Sequence, residues 1–147
     1  MASPAATGHA YAWILLTAAL ACHVLDEASH GFLAVYNPAV LRIRAVLPWL
    51  PVPTFTFSTW IAGLALAVVI LMALSRFAFL GRRWIVLASY PYAAIMTLNG
   101  LGHIAGSLYT WEFMPGVYSS PLLLAASIYL WWTARRTHAL TPRTDAA

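Results

Sequence analysis

The chain has 147 residues, of which 62% are hydrophobic and only 8% are charged, and its mean hydropathy is +0.76. This composition is typical of a single-domain integral membrane protein. The net charge of +4 comes from arginines in loops and in the C-terminal tail, without a continuous basic patch, which argues against nucleic-acid binding. The single cysteine, Cys22, excludes an intramolecular disulfide.

Four apolar stretches have the length and composition of membrane helices. The first keeps its helical pattern until Asn37-Pro38, where the proline is expected to end the helix. The second carries no charge over about 20 residues, the length that crosses a hydrocarbon core of ~30 Å. Pro91 is expected to kink the third. The predicted spans are residues 10–35, 55–75, 84–108 and 117–134.

The connection between the first two spans has a different character. From Asn37 to Pro53 it combines Arg42, Arg44 and Trp49 with prolines and aliphatic residues. Arginine and tryptophan prefer the headgroup level, so this pattern predicts an interfacial segment. The sequence therefore predicts an all-α fold, a four-helix transmembrane bundle in which residues 1–147 form one domain.

The arginines predict the orientation of this bundle. In a four-span layout only Arg42 and Arg44 lie on one side, whereas the other six lie opposite: Arg76, Arg82, Arg83, Arg135, Arg136 and Arg143. The positive-inside rule then places both termini in the cytoplasm, in a bacterial-type inner or plasma membrane. Spans one and three run in the same direction, so the polar residues near their outer ends reach the same depth.

Those polar residues form the candidate site. At about 100° per residue, His23, Asp26, Glu27 and His30 share one face of the first span. Ionisable groups in a membrane segment are costly and usually mark a functional cavity. The third span repeats the spacing with Asn99, Gly102, His103 and Gly106. The two glycines are expected to permit close approach of a neighbouring helix, so the two polar faces are predicted to meet.

Two kinds of chemistry fit this set of side chains. Imidazole and carboxylate groups on successive helical turns are typical of metal sites, so we predict a divalent transition metal held by His23, Glu27, His30 and His103. Without a metal, Asp26 or Glu27 would act as general acid or base, with the histidines as proton relays. The sequence does not separate these alternatives.

Other residues are candidates for substrate contact. Asn99 is expected to orient the substrate, and Tyr92, Met96 and Glu112 are predicted to line its binding site. Ser119 and Ser120 precede Pro121 and are predicted to cap the last helix, since no nucleophile-elbow motif surrounds them.

Three segments of the chain resemble the signature of the HXXEE-domain family of small multi-span membrane proteins. They are His23-Val24-Leu25-Asp26-Glu27, the downstream His103, and Phe113-Met114-Pro115-Gly116. Asp26 stands where that family has Glu, and Phe113 stands where it has Tyr. The resemblance covers most of the chain from His23 onward and implies a multi-span fold with a site at these residues, without specifying a reaction.

The function that these features favour is an integral-membrane enzyme acting on a lipophilic small molecule by hydrolysis, isomerisation or cyclisation. The chain has no nucleotide-binding motif, so no nucleotide cofactor is expected. Membrane lipids are expected partners, and the layout is compatible with a homo-oligomer. Two alternatives remain open: a proton-coupled transporter in which Asp26 and Glu27 change protonation state, and a non-catalytic ligand-binding protein.

Overall fold

A computed structural model describes residues 4–140, and within that range the chain forms five helices and no strand. The expectation of an all-α fold is confirmed. The helices are α1 (Pro4–Ser29), α2 (Phe32–Val46), α3 (Phe57–Phe79), α4 (Arg83–Thr110) and α5 (Ser120–Leu140).

The first predicted span is wrong at its C-terminal end. The chain breaks at Gly31, which adopts φ 72°, a left-handed conformation that glycine takes without steric cost, so α1 ends at Ser29 rather than near Val35. The predicted break at Asn37-Pro38 is also wrong, because Pro38 lies inside α2. Proline removes one backbone donor, which α2 tolerates at this exposed position. Much of the predicted interfacial segment is therefore helical.

Asn37 fastens α2 to the beginning of α3. Its side-chain amide donates to the carbonyl oxygen of Phe55 at 2.9 Å, and its side-chain oxygen accepts from the backbone N–H of Phe55 at 3.1 Å. Tyr36 adds a bond from its hydroxyl to the carbonyl of Pro53. These bonds hold α2 across one end of the bundle, next to the polar end of α1.

The helix α1 is the centre of the bundle and packs against α3 and α5, while α4 packs mainly against α5. Near its N-terminus, the carbonyl of Ala5 accepts a bond from Thr137 near the end of α5. At its other end, Asp26 bonds Ser119, just before α5 begins. The helices α1 and α5 are therefore antiparallel and lie side by side over most of their length.

The other long helices alternate in direction in the same way. The indole of Trp13 donates to the carbonyl of Leu71 in the second half of α3, which places α3 antiparallel to α1. His9 of α1 contacts Ser89 of α4 at 2.8 Å, and both lie near the starts of their helices, so α4 is parallel to α1. Buried apolar side chains fill the space between the helices, the largest being Trp13, Leu16, Ile85, Leu123 and Leu130.

Three helices, α1, α3 and α4, are long and apolar enough to cross a membrane. The helix α5 is not among them, and Arg135 and Arg136 lie in its last two turns. Three membrane-spanning candidates support membrane association. The four-span bundle remains a prediction.

The glycine that contacts α5 is Gly100, whereas Gly102 and Gly106 were expected to permit close helix approach. A Cβ at Gly100 would lie 3.0 Å from Leu124 Cγ and 3.3 Å from the carbonyl oxygen of Ser120. At Gly102 a Cβ would meet open space, so that glycine makes no close helix contact among the described residues. At Gly106 it would overlap Met114 Sδ in the loop after α4. Gly100 is thus the glycine that lets α5 approach.

Replacement of Gly100 by valine should destabilise the bundle by about 1–3 kcal/mol, since the added methyl groups overpack against α5. Gly102→Val is the matched control, two residues away on the same helix with the same change in helix propensity but open space around it. Thermal unfolding in mild detergent measures the difference. Equal shifts in Tm for the two variants would contradict the α4–α5 packing.

Candidate metal centre

Three buried side chains meet at the polar end of the bundle. His23 and Glu27 lie one turn apart on α1, and His103 reaches them from α4. Glu27 Oε1 lies 3.1 Å from His103 Nε2 and 3.7 Å from His23 Nε2, and the imidazole centroids are 4.8 Å apart. His23 is 0% exposed, Glu27 5% and His103 6%. One ligand atom from each residue lies within 4.8 Å of the other two, so the group could hold a metal ion.

Ser119, just before α5, links His23 to Asp26. Its hydroxyl oxygen lies 2.8 Å from His23 Nδ1 and 2.7 Å from Asp26 Oδ2, and its backbone N–H donates to the same carboxylate oxygen at 2.9 Å. The hydroxyl also lies 3.1 Å from the carbonyl oxygen of Gly116. Asp26 thereby accepts two bonds from the residue that precedes α5, where the positive end of the helix dipole favours a carboxylate.

This arrangement favours one tautomer of His23. The serine hydroxyl has one proton, and both the Asp26 carboxylate and the Gly116 carbonyl are pure acceptors. When the hydroxyl donates to Asp26, at the shortest of these distances, the bond between Ser119 and His23 is donated by Nδ1–H of the imidazole. In that neutral tautomer His23 Nε2 carries a lone pair. That atom is fully buried and has no hydrogen-bond partner among the described residues, and it faces Glu27 and His103.

Two of the three separations within this group are close to those of a tetrahedral metal site. Metal–ligand distances of 2.0–2.2 Å place neighbouring ligand atoms about 3.4 Å apart, close to the 3.1 and 3.7 Å that separate Glu27 Oε1 from the two imidazole nitrogens. Metal-binding histidines usually donate their second ring N–H to an oxygen that fixes the ring, as Nδ1–H of His23 does to Ser119.

Gly116 closes the site from the loop between α4 and α5. It adopts φ 89°, and a Cβ there would lie 2.9 Å from His23 Cε1 and 2.9 Å from His103 Cε1. Only glycine lets this loop pack directly on both imidazole rings. The loop therefore excludes solvent from one side of the group.

The other side opens toward an apolar cleft between α2 and α3. A cavity of about 130 Å³ has Glu27 in its wall, beside Gly31, Phe32 and Trp60. A groove of about 350 Å³, which shares Phe32 and Trp60, continues along Thr59 and Gly63. The ring of Phe32 lies 5.8 Å from that of His103 and 5.8 Å from that of Trp60. The carboxylate of Glu27 thus lies at the inner end of a cleft whose other walls are mainly aromatic and aliphatic.

His30 lies outside the three-residue group. Its side chain is half exposed, and its Nδ1 lies 2.9 Å from both the backbone carbonyl and Oδ1 of Asp26. The contact with the carbonyl is a hydrogen bond, whereas Asp26 Oδ1 has no hydrogen-bond partner among the described residues. Three of the four predicted ligands, His23, Glu27 and His103, therefore lie together. His30 does not join them, because the turn at Gly31 leaves it at the surface.

The predicted substrate-contact residues are spread through the fold. Tyr92 packs on Trp13 with its hydroxyl 3.4 Å from Thr17, more than a helical turn from His23, and Met96 packs against the apolar core. Glu112 is exposed and lines a separate cavity at the end of α4. Asn99, half-buried on α4, makes no hydrogen bond to the site within residues 4–140.

Sequence reasoning missed the roles of Ser119, Phe32 and Trp60. Ser119 has a capping position next to Pro121, but its bonds to Asp26 and His23 span more than 90 residues and leave no local signal. The Pro115-Gly116 pair indicates a turn, without indicating what the turn packs against.

Comparison with known proteins finds no matching family model, no matching curated protein and no matching solved structure. Membership of the HXXEE-domain family stays a prediction.

Ser119→Ala should release His23 from its single tautomer, because the acceptor of its Nδ1–H is removed. Isotope-labelled histidine NMR should show only the Nδ1–H form of His23 in the wild type and a mixture of tautomers in the variant. Ser120→Ala, which removes a neighbouring hydroxyl bonded to the Gly116 carbonyl, should leave the His23 signal unchanged. A wild-type His23 that carries its proton on Nε2 would contradict this assignment.

Proposed function

We propose that the chain is an integral-membrane, metal-dependent enzyme that acts on a lipophilic small molecule at His23, Glu27 and His103. The observation that carries the proposal is the bare, buried Nε2 of His23, which faces a carboxylate and a second imidazole where an apolar cleft begins. A membrane segment tolerates such a group chiefly where it serves a function.

Two imidazoles and one carboxylate are a donor set suited to a divalent transition metal such as zinc. Structural zinc sites use four protein ligands, whereas catalytic sites use three and leave one position for water or substrate. His23, Glu27 and His103 supply three, and in this proposal the cleft that has Glu27 in its wall would lead to the remaining position. The site therefore resembles a catalytic centre in its ligand count.

The side chains divide the proposed chemistry between them. His23 Nε2, His103 Nε2 and Glu27 would hold the ion, which as a Lewis acid polarises a substrate carbonyl or activates water. Ser119 keeps His23 in the tautomer that binds, and Asp26 holds Ser119. Gly116 excludes bulk water from the side opposite the cleft. Hydrolysis, isomerisation and cyclisation all use such a centre without a redox cofactor.

The cleft favours a lipophilic substrate. Apart from Glu27, the cavity and the groove are lined mainly by aromatic and aliphatic side chains, together with backbone at Gly31 and Gly63. They lie between α2 and α3, and α3 is the most apolar of the candidate spans, with most of its surface exposed. A molecule dissolved in the bilayer would reach the site by this route without crossing water.

The proposal includes the four-span orientation with both termini cytoplasmic. The antiparallel contact of α5 along α1 supports a fourth span, because Ser119 and Thr137 contact opposite ends of α1. It also places Arg135 and Arg136 at the same end of the bundle as Arg82 and Arg83. Positive charge at one end is what the positive-inside rule associates with the cytoplasmic side.

A divalent transition metal should copurify at close to one ion per chain, and Glu27→Gln should lose it because the amide is a poor ligand. Ser119→Ala should weaken metal binding about 10- to 100-fold, the usual effect of removing a residue that orients a ligand. Glu112→Gln, which changes an exposed loop acid, should retain the ion. Elemental analysis of protein purified in mild detergent and competition with chelators measure these effects. Equal metal content in wild type and Glu27→Gln would refute the site.

Solubilised wild-type protein should convert a component of an apolar metabolite pool, detected by mass spectrometry of the products. Gly63→Leu should lower kcat/KM for that component on the order of tenfold while leaving metal content unchanged, because the new side chain occupies the groove and does not contact the ligands. Ala62→Leu, the neighbouring exposed position on α3, is the control.

Detergent solution also separates an enzyme from a transporter, since no gradient exists there. A transporter would convert nothing and would instead move protons with its substrate in sealed vesicles, an activity lost in Glu27→Gln. That pair of results would overturn the proposal.

A further inference from the structure

A second feature lies far from the metal centre, on the face formed by α4 and α5. Arg135 is the common wall of two cavities and lies about 22 Å along α5 from Ser120. One is a groove of about 580 Å³ lined almost entirely by apolar groups, among them Leu98, Ile128 and Trp131. The other, of about 360 Å³, is lined by Tyr90, Arg135, His138 and Ala139.

The smaller cavity gathers hydrogen-bond donors. Arg135 and His138 lie three residues apart on one exposed face of α5, and Tyr90 of α4 has its ring 6.4 Å from that of His138. Within the described part of the chain, neither the Arg135 guanidinium nor the Tyr90 hydroxyl has a hydrogen-bonding or ionic partner. The adjacent Arg136 differs, since its guanidinium lies 3.5 Å over the ring of Trp132.

No described carboxylate lies near these donors. Asp26 and Glu27 are at the opposite end of the bundle, and Glu112 is in the loop at that same far end. Arg82, Arg83 and Arg136 lie at the same end as Arg135. The charge that the described residues place at this end is therefore positive, and an anion from outside residues 4–140 would complement it.

We propose that this face binds an anionic phospholipid. Its phosphate would accept bonds from Arg135, His138 and Tyr90, and one acyl chain would lie in the groove along Leu98 and Ile128. Basic pockets between membrane helices on the cytoplasmic side are typical sites for anionic headgroups. Arg135 lines both cavities, so it would lie where the lipid headgroup joins the acyl chains.

A second copy of the chain is a poorer occupant of this face. Two copies inserted with the same orientation would bring their arginine-rich ends to the same level, so Arg135 of one would meet like charges on the other. A free inorganic phosphate would satisfy the donors and leave the apolar groove exposed. A phospholipid fills both cavities, with its phosphate at the hydrogen-bond donors and an acyl chain in the apolar groove.

The experiment is native mass spectrometry of delipidated protein titrated with phosphatidylglycerol or with phosphatidylcholine of identical acyl chains. We expect the anionic lipid to bind at least about fivefold more tightly, the effect of roughly one charge pairing at a membrane surface. Arg135→Gln should abolish this preference, whereas Arg82→Gln, at the same end but outside both cavities, should preserve it. Leu98→Trp should weaken binding of both lipids by occupying the groove.

Three results would overturn the proposal. Equal affinity of wild-type protein for the two lipids would remove the role of charge. Full displacement of phosphatidylglycerol by inorganic phosphate at matched concentration would show an anion site without an acyl groove. A dimer that persists without lipid and dissociates in Leu98→Trp would assign this face to a second copy of the chain.

Discussion

The hydrogen-bond chain from Asp26 through Ser119 to His23 is the interaction on which the polar end of the molecule depends. It joins the central helix to the start of α5, and the second ring nitrogen of His23 is buried without a hydrogen-bond partner among the described residues. Buried polar groups are costly unless they are bonded, and the cost is larger in an apolar bundle than in a soluble protein. Ser119 bonds Asp26 Oδ2 and His23 Nδ1, whereas Asp26 Oδ1 and His23 Nε2 are buried without a hydrogen-bond partner among the described residues.

The same network positions the loop before α5. With Ser119 bonded to α1, Gly116 is held against the rings of His23 and His103, and Met114 packs against Gly106 on α4. The helices α1 and α4 contact each other little along their length, and the loop together with α5 fills the space between them. The pocket is thus formed by α1, the end of α4 and this loop, and the two helices meet there locally through Glu27 and His103 rather than by packing along their length. On the opposite side Phe32 and Trp60 provide the apolar wall, and α2 can supply Phe32 because the chain turns at Gly31.

Much of the helical architecture follows from sequence patterns. The spans predicted at residues 55–75 and 84–108 agree with α3 and α4 to within a few residues, because long apolar runs leave few alternatives to a helix. The proximity of His23, Glu27 and His103 was predicted from equal depth and spacing, and the structure brings these three together. The predictions were wrong where contacts between distant segments outweighed a local sequence preference. Pro38 continues a helix that Asn37 fastens to Phe55, and Gly100 rather than Gly102 contacts α5.

The sequence by itself indicated a membrane environment, an all-α fold and the polar face of α1. These features depend on composition and on the helical periodicity of residues along the chain. Only the tertiary structure decided which polar residues share a site, because that depends on contacts between distant segments. His30 and Glu27 lie on the same helical face in sequence, yet one is exposed and the other is buried against His103. Ser119 has no local feature that distinguishes it from Ser120, and its role follows from a contact with Asp26 across the bundle. Helical period specifies direction around one axis, whereas a site requires the relative placement of several axes and of the loops that join them.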